Sequence, residues 1–292
     1  MKILLTGAGG QVGSELARSF PGAIATDRTS LDLGDFDAIR RAVREAKPEV
    51  ILNAAAYTAV DKAESERELA TKVNALAPGV LGEEAKRQGA LLVHYSTDYV
   101  FDGAKRSPYT EQDVPNPVSH YARTKLEGER AIAASGCRHL ILRTSWVYGP
   151  RASNFYQLIS RKAAAGEPMR MVDDQTSVPT PSPFIAKYTA LLLPHEGILH
   201  LVPSGHATRY EFACEVVKAC GSRSTVESAK TADFATAARR PAYSALSSRK
   251  VAEILGATLP DWRCVLLETL KPEQMEPCMP DSRDGVPKPH PP

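Results

Sequence analysis

Cysteine is scarce in this chain. Its five cysteines, at 137, 214, 220, 264 and 278 of 292 residues, form no C-x-x-C pair and make an odd total. That pattern argues against a disulfide framework and a zinc site, and it suits a reducing compartment. A surplus of one charge is also missing. Thirty-six basic residues face 34 acidic ones, a net charge of +2, whereas a nucleic-acid binder concentrates basic residues. No apolar run approaches the ~18 residues of a membrane span. The Ile3-Leu4-Leu5 run before the first glycine is too short for the core of a signal peptide. The expectation is a soluble, cytoplasmic protein with neither nucleic acid nor membrane as partner.

What the chain does have is enough apolar material for a large core, 43% hydrophobic against 24% charged. Its length suits about two domains or one large α/β unit. Short apolar runs at 3–5, 23–26, 50–53, 91–95 and 140–143 read as strands. Helical spacing separates them at 36–46, at 66–88 with an interruption near Pro78-Gly79, and at 121–134. Strands apolar throughout, with helices between them, require a parallel sheet covered on both faces. The predicted fold is α/β, a Rossmann-type doubly wound sheet over 1–149. A smaller, mainly C-terminal substrate-binding domain follows over 150–270, with elements that cross back to the main sheet. The tail at 271–292 holds seven prolines and almost no large apolar residues, so disorder is expected there.

Gly7-Ala8-Gly9-Gly10-Gln11-Val12-Gly13 follows the first strand and opens a helix. Its G-x-x-G-x-x-G spacing supplies a tight turn, a close approach for a pyrophosphate and close helix–strand packing. The helix N-terminus then offers free N–H groups and partial positive charge to the phosphates. Asp27 ends the second strand, about 20 residues on, where a carboxylate accepts from the adenosine ribose. Its neighbour Arg28 suits a 2′-phosphate instead, which leaves both NADH and NADPH open.

Tyr121 and Lys125 stand at i and i+4, neighbours on one helix face. A nearby ammonium stabilises tyrosinate, and a tyrosine so placed suits proton donation to a carbonyl oxygen as hydride reaches its carbon. The preceding strand end, Tyr95-Ser96-Thr97-Asp98-Tyr99, projects into the ligand crevice of such a fold, so Ser96 or Thr97 could supply a further hydroxyl. Plainer readings exist for several neighbours. Trp146 serves equally as core or ligand platform, Tyr99 as packing for Phe101, and Asp98 as a turn cap. His94 reads as a satisfied core histidine, and Arg40-Arg41-Arg44 as a solvated helix face.

These segments together resemble the extended short-chain dehydrogenase/reductases, and within them the dTDP-4-dehydrorhamnose reductases. The likeness rests on GAGGQVG at 7–13, NAAAYTAVDKAE at 53–64, YSTDYVFDG at 95–103, YARTK at 121–125 and RTSWVYG at 143–149. VDDQTSVPT at 172–180 and RRPAYSAL at 239–246 extend it over about residues 1–270. The resemblance implies reduction of the 4-keto group of a dTDP-sugar by NADPH or NADH, with a Thr97, Tyr121, Lys125 triad. Tyr121 would give the proton, Lys125 would hold the nicotinamide ribose, and Thr97 would bond the keto oxygen. It places Gly10, Gln11 and Val12 on the pyrophosphate and Asp27 on the ribose. Asp32 and Leu33 would lie by the adenine, Ala56, Tyr57 and Thr58 along the cofactor, and Tyr95 beneath it. Asp98, Tyr99, Trp146, Asn154 and the Asp174-Gln175 turn would face the nucleotide sugar. Glu15 matches a position used by some members in a metal-linked dimer, which implies a homodimer but leaves the metal unassigned. One departure is Ala122, where the family usually carries glycine. Rival readings are a sister nucleotide-sugar reductase or epimerase, or a non-catalytic subunit like that of methionine adenosyltransferase.

Overall fold

The computed structural model describes residues 1–150 and 154–270; the proline-rich tail and Cys278 lie outside them. Six parallel strands form the central sheet: β1 (Ile3–Thr6), β2 (Ile24–Thr26), β3 (Val50–Asn53), β4 (Leu91–Thr97), β5 (Arg138–Thr144) and, far along the chain, a strand at Gly197–His200. Between β5 and that last strand come the short β6 (Val147–Tyr148), β7 (Met169–Val172), β8 (Thr176–Ser177) and β9 (Thr180–Pro181), so it is β10. The spatial order is β10-β5-β4-β3-β1-β2. β1, β3 and β4 are buried at every position, as strands covered on both faces must be.

Helices α1 (Gln11–Ser19), α2 (Phe36–Ala46), α3 (Arg67–Thr71), α4 (Ala77–Gln88) and α5 (His120–Ser135) belong to the first half. One core layer joins Leu5, Leu52, Val93 and Leu142 to Leu16 of α1 and Phe184 and Ile185 of α7 (Ser182–Leu192), which follows α6 (Phe155–Ala164). The other joins Leu4, Ile51, Leu92 and Ile141 to Ile39 and Val43 of α2, Leu81 of α4 and Ile132 of α5. Each strand thus feeds both layers through its alternating side chains.

The predicted break near Pro78 sits earlier. A π turn at Lys72–Leu76 links α3 to α4, and Pro78 lies within the first turn of α4. There its missing N–H and fixed φ are tolerated. The solvated face expected on α2 is present, with Arg41 and Arg44 exposed, and it also carries an ion pair. Arg44 grips the fully buried Glu84 of α4 with two bonds, 2.9 and 2.7 Å. The C-terminal half builds a third core around Tyr148, Tyr156, Phe212 and Trp262. It adds β11 (Ala207–Thr208), α8 (Arg209–Ala219), β12 (Val226–Ala229), α9 (Arg249–Leu255) and α10 (Trp262–Leu270). Its β10 pairs with β5 in the main sheet.

Candidate active site

The chain leaves β1 and β3 in opposite directions across the sheet, and this reversal opens a crevice at their C-terminal ends. Gly7 lines it with φ +75°, and a Cβ there would lie 2.6 Å from the backbone nitrogen of Ala55. A Cβ on Gly13 would stand 2.0 Å from the Gly7 carbonyl oxygen. Only glycine fits either place. The N-cap of α1, Gly10, offers no side chain, and the first turn carries no acid. The leading N–H groups, with Gln11 and Val12 among them, are therefore left for an anion. These features fit a dinucleotide pyrophosphate.

Asp27 is exposed and takes four bonds on Oδ1 from the amides and hydroxyls of Thr29 and Ser30, between 2.7 and 3.0 Å. They hold its carboxyl down at about 2, the Thr29 hydroxyl most strongly. Oδ2 keeps its lone pairs for an incoming hydroxyl. Arg28 and Asp32 are exposed beside it, whereas the Leu33 side chain is buried in the core under α2. Ala56, Tyr57 and Thr58 follow β3. Asn74, which the sequence reading passed over, clamps Tyr57 by its backbone: its amide accepts from the Tyr57 N–H at 2.8 Å and donates to the carbonyl at 3.0 Å. The π turn that carries Asn74 is a device often found at functional sites.

Tyr121 and Lys125 lie in the first turns of α5, whose cap Ser119 accepts from the Ala122 amide at 3.3 Å. Ala122 is fully buried there. Strand alternation settles which hydroxyl joins them. Ser96 turns away to donate to Glu129 at 2.5 Å, within the buried Glu129–Arg143 pair. Thr97 turns toward Tyr121. Burial holds the Tyr121 phenol above its ordinary range, with the nearby Thr97 hydroxyl opposing. Lys125 does not lower it, because its Nζ reaches β4 instead, 2.7 Å from the Tyr95 carbonyl and 3.1 Å from His94 Nε2. Burial pushes Lys125 down to about 8. The Tyr121 phenol is thereby kept neutral.

Tyr95 meets this group through its carbonyl. Its ring packs in the core and its hydroxyl pairs with Thr189 at 3.0 Å. His94 is buried between Lys125 and Asn53, a satisfied core histidine. Tyr99 sets its edge against Tyr121, centroids 6.4 Å apart, rather than packing on Phe101, which stacks with Tyr109. Asp98 is buried, with its carboxylate bonded by Thr97, Ser177 and Ser244.

Of the residues expected to face the nucleotide sugar, Trp146 adopts φ +38°, a strained backbone for a bulky residue. The Arg209 guanidinium lies 4.4 Å from its ring and donates from Nε to Gln175 Oε1 at 3.3 Å. Arg209 thus joins two predicted residues, and nothing in its own sequence context marked it. Asn154 caps α6 and donates to Gln11 Oε1 at 3.1 Å, tying the phosphate loop to the second half. Asp174 is engaged by Thr231, its Oδ1 accepting from the hydroxyl at 2.6 Å. Glu15 is buried on α1 and accepts from Arg18. Among the described residues no group of three or more His, Cys, Asp or Glu could hold a metal ion, and no helix is long and apolar enough to cross a membrane.

The family model described as the RmlD substrate binding domain matches residues 1–275. A dTDP-4-dehydrorhamnose reductase of Burkholderia thailandensis is 42% identical over 285 residues, covering 90% of this chain and 96% of the relative. The crystal structure of a dTDP-4-dehydrorhamnose reductase from Clostridium acetobutylicum superposes with TM-score 0.90 at 36% identity, covering 94% of this chain and all of that one. That of the Bacillus anthracis enzyme, in complex with NADP, gives 0.89 at 29% identity, covering 93% and 99%. The chain belongs to the RmlD family of dTDP-4-dehydrorhamnose reductases.

Proposed function

We propose that this protein reduces the 4-keto group of dTDP-4-dehydro-L-rhamnose to give dTDP-L-rhamnose, using NADPH or NADH. The observation that carries this reading is the convergence of Thr97, Tyr121 and Lys125 beside a glycine crevice fit for a dinucleotide. When bound, the reduced nicotinamide supplies the hydride. Gly7, Gly10, Gln11 and Val12 hold the pyrophosphate, and Asp27 Oδ2 accepts from the ribose. Lys125, fixed from behind by Tyr95 and His94, supports the nicotinamide ribose. Tyr121 gives its proton to the developing alkoxide, and Thr97 donates to the same oxygen. Trp146, Gln175 and Arg209 line the nucleotide-sugar side, with Arg209 supplying positive charge toward a diphosphate. Alignment and electrostatic support of the developing oxyanion are the protein's contribution. The compartment is a reducing one, the cytoplasm, in keeping with the scattered free cysteines.

The test is oxidation of NADPH and of NADH on dTDP-4-dehydro-L-rhamnose made in situ by the upstream enzymes. One cofactor oxidised per dTDP-L-rhamnose formed is expected. Sugar conversion without net cofactor consumption would point to an epimerase. Binding of cofactor with no turnover would point to a regulatory subunit.

A further inference from the structure

We propose that Asp98 is a positioning residue whose neutral form turns the Thr97 hydrogen toward the reacting oxygen and whose ionised form turns it away. This deepens the reductase reading and rests on it. The basis is a count of hydrogens. Asp98 Oδ2 receives the hydroxyls of Ser177 at 2.8 Å and Ser244 at 2.5 Å, while Oδ1 faces Thr97 Oγ1 at 3.1 Å. Thr97 also receives the Tyr99 amide at 3.2 Å, which leaves it one free lone pair and one hydrogen.

Two arrangements satisfy every group. With Asp98 ionised, Thr97 donates to Oδ1, and the free lone pair invites the Tyr121 hydroxyl, so both hydrogens run away from the substrate. With Asp98 neutral, Oδ2 is already filled by two donors, so the proton sits on Oδ1 and donates to Thr97. The Thr97 hydrogen is then released toward Tyr121 or the keto oxygen, and Tyr121 donates to the substrate. Only this second arrangement is productive for reduction.

The surroundings favour such a switch. Burial raises the Asp98 carboxyl to about 6, against the lowering effect of Ser244, Ser177 and Thr97. Its neighbours are hydroxyls from β4, β8 and the 239–246 segment, with Tyr121 from α5 and Tyr99 from its own turn. Arg240 from that last segment is engaged by Asp61 and Tyr99. A sugar seated over the site removes further water and favours the neutral carboxyl.

The experiment is the pH dependence of kcat/KM and kcat for the wild type, Asp98→Asn and Ser244→Ala, with infrared titration of the ligand-free proteins. An amide donates to Thr97 at every pH. Wild-type kcat/KM is expected to fall about tenfold per pH unit above about 6, with the break in kcat displaced upward. Asp98→Asn is expected to level off a few-fold lower and to lack that fall. Ser244→Ala, which removes a donor to the carboxylate, moves the break to higher pH. A protonated-carboxyl band that titrates near pH 6 in the wild type and is missing from Asp98→Asn supports the assignment. An unchanged fall in Asp98→Asn, or a folded Asp98→Asn inactive at every pH, overturns it. If the wild type turns over no 4-keto dTDP-sugar, the reductase reading fails. The infrared titration then decides the Asp98 assignment by itself, and absence of the band overturns it.

Discussion

Lys125 Nζ lies 3.1 Å from His94 Nε2 and is anchored at 2.7 Å on the Tyr95 carbonyl, so the lysine is braced from β4 and not from its own helix. His94 is in turn held by Asn53, whose amide accepts from the buried Thr6 hydroxyl at 2.7 Å. Burial together with the Lys125 charge holds the His94 imidazole well below its ordinary range.

Lys125→Met is expected to lose about 10²-fold or more in turnover while remaining no less stable at neutral pH. Burial lowers Lys125 from 10.5 to about 8. The fold therefore disfavours its ammonium relative to the unfolded chain, a penalty fully present below pH 8 and relieved as pH rises toward 10.5. Losing that penalty offsets the two lost hydrogen bonds. Thermal melts should show the variant's relative stability declining from pH 8 upward.

Tyr121→Phe should lower kcat by about 10²–10⁴-fold, the usual worth of a positioned proton donor. Cofactor affinity, measured by nucleotide fluorescence titration, should stay near the wild-type value. Normal turnover would remove Tyr121 from the chemistry.

Gly13→Ala places a methyl 2.0 Å from the Gly7 carbonyl oxygen, where backbone must move. The variant is expected to lose about 1–3 kcal/mol of stability. Its Kd for the dinucleotide should rise by more than its KM for the sugar. Wild-type cofactor binding would count against the glycine crevice as the pyrophosphate site.

Arg240 and Asp61 form a two-bond ion pair, 2.6 and 3.1 Å, across 179 residues of sequence. It joins the segment after β3 to the segment that carries Ser244. Arg240→Met should raise the KM for the nucleotide sugar about tenfold, with a smaller effect on kcat, since such charge-assisted bonds are worth about 1.5–3 kcal/mol before solvent screening. Arg240 holds the Asp61 carboxyl below its ordinary value. The pair's contribution to stability is present at neutral pH and lost as pH falls through that lowered value.

Asp98→Asn should stabilise the fold at neutral pH by about 2–3 kcal/mol, because burial raises the carboxyl from 3.8 to about 6. The folded state binds this proton more tightly than the unfolded chain does. Wild-type stability therefore falls as pH rises from about 4 to 6, and the gap to the variant opens over that window. Paired melts below pH 4 and above pH 7 measure it.

Much of the fold was legible in the sequence because the signals are local. Apolar runs marked β1 to β5, and the i, i+4 spacing put Tyr121 and Lys125 on one face of α5. The glycine loop declared a cradle because only glycine adopts the positive φ of Gly7 or admits the carbonyl beside Gly13. By contrast, Pro78 invited a break where a π turn absorbs it upstream, a choice made by packing against α5: a Cβ on Gly128 would stand 2.2 Å from the Asn74 carbonyl oxygen.

The sequence by itself determined the class of chemistry: a dinucleotide crevice, a tyrosine–lysine pair and a hydroxyl-bearing strand end, each set by residues within a turn or two of one another. Tertiary structure decided which atoms face one another. It chose Thr97 over Ser96, since the adjacent residues of a strand point to opposite faces. It brought Ser177 and Ser244 from 79 and 146 residues away onto the Asp98 carboxylate, and Arg209 onto Trp146. It also turned Lys125 toward β4. Such meetings depend on where the chain returns after long connections, and hydrophobic periodicity carries no record of that.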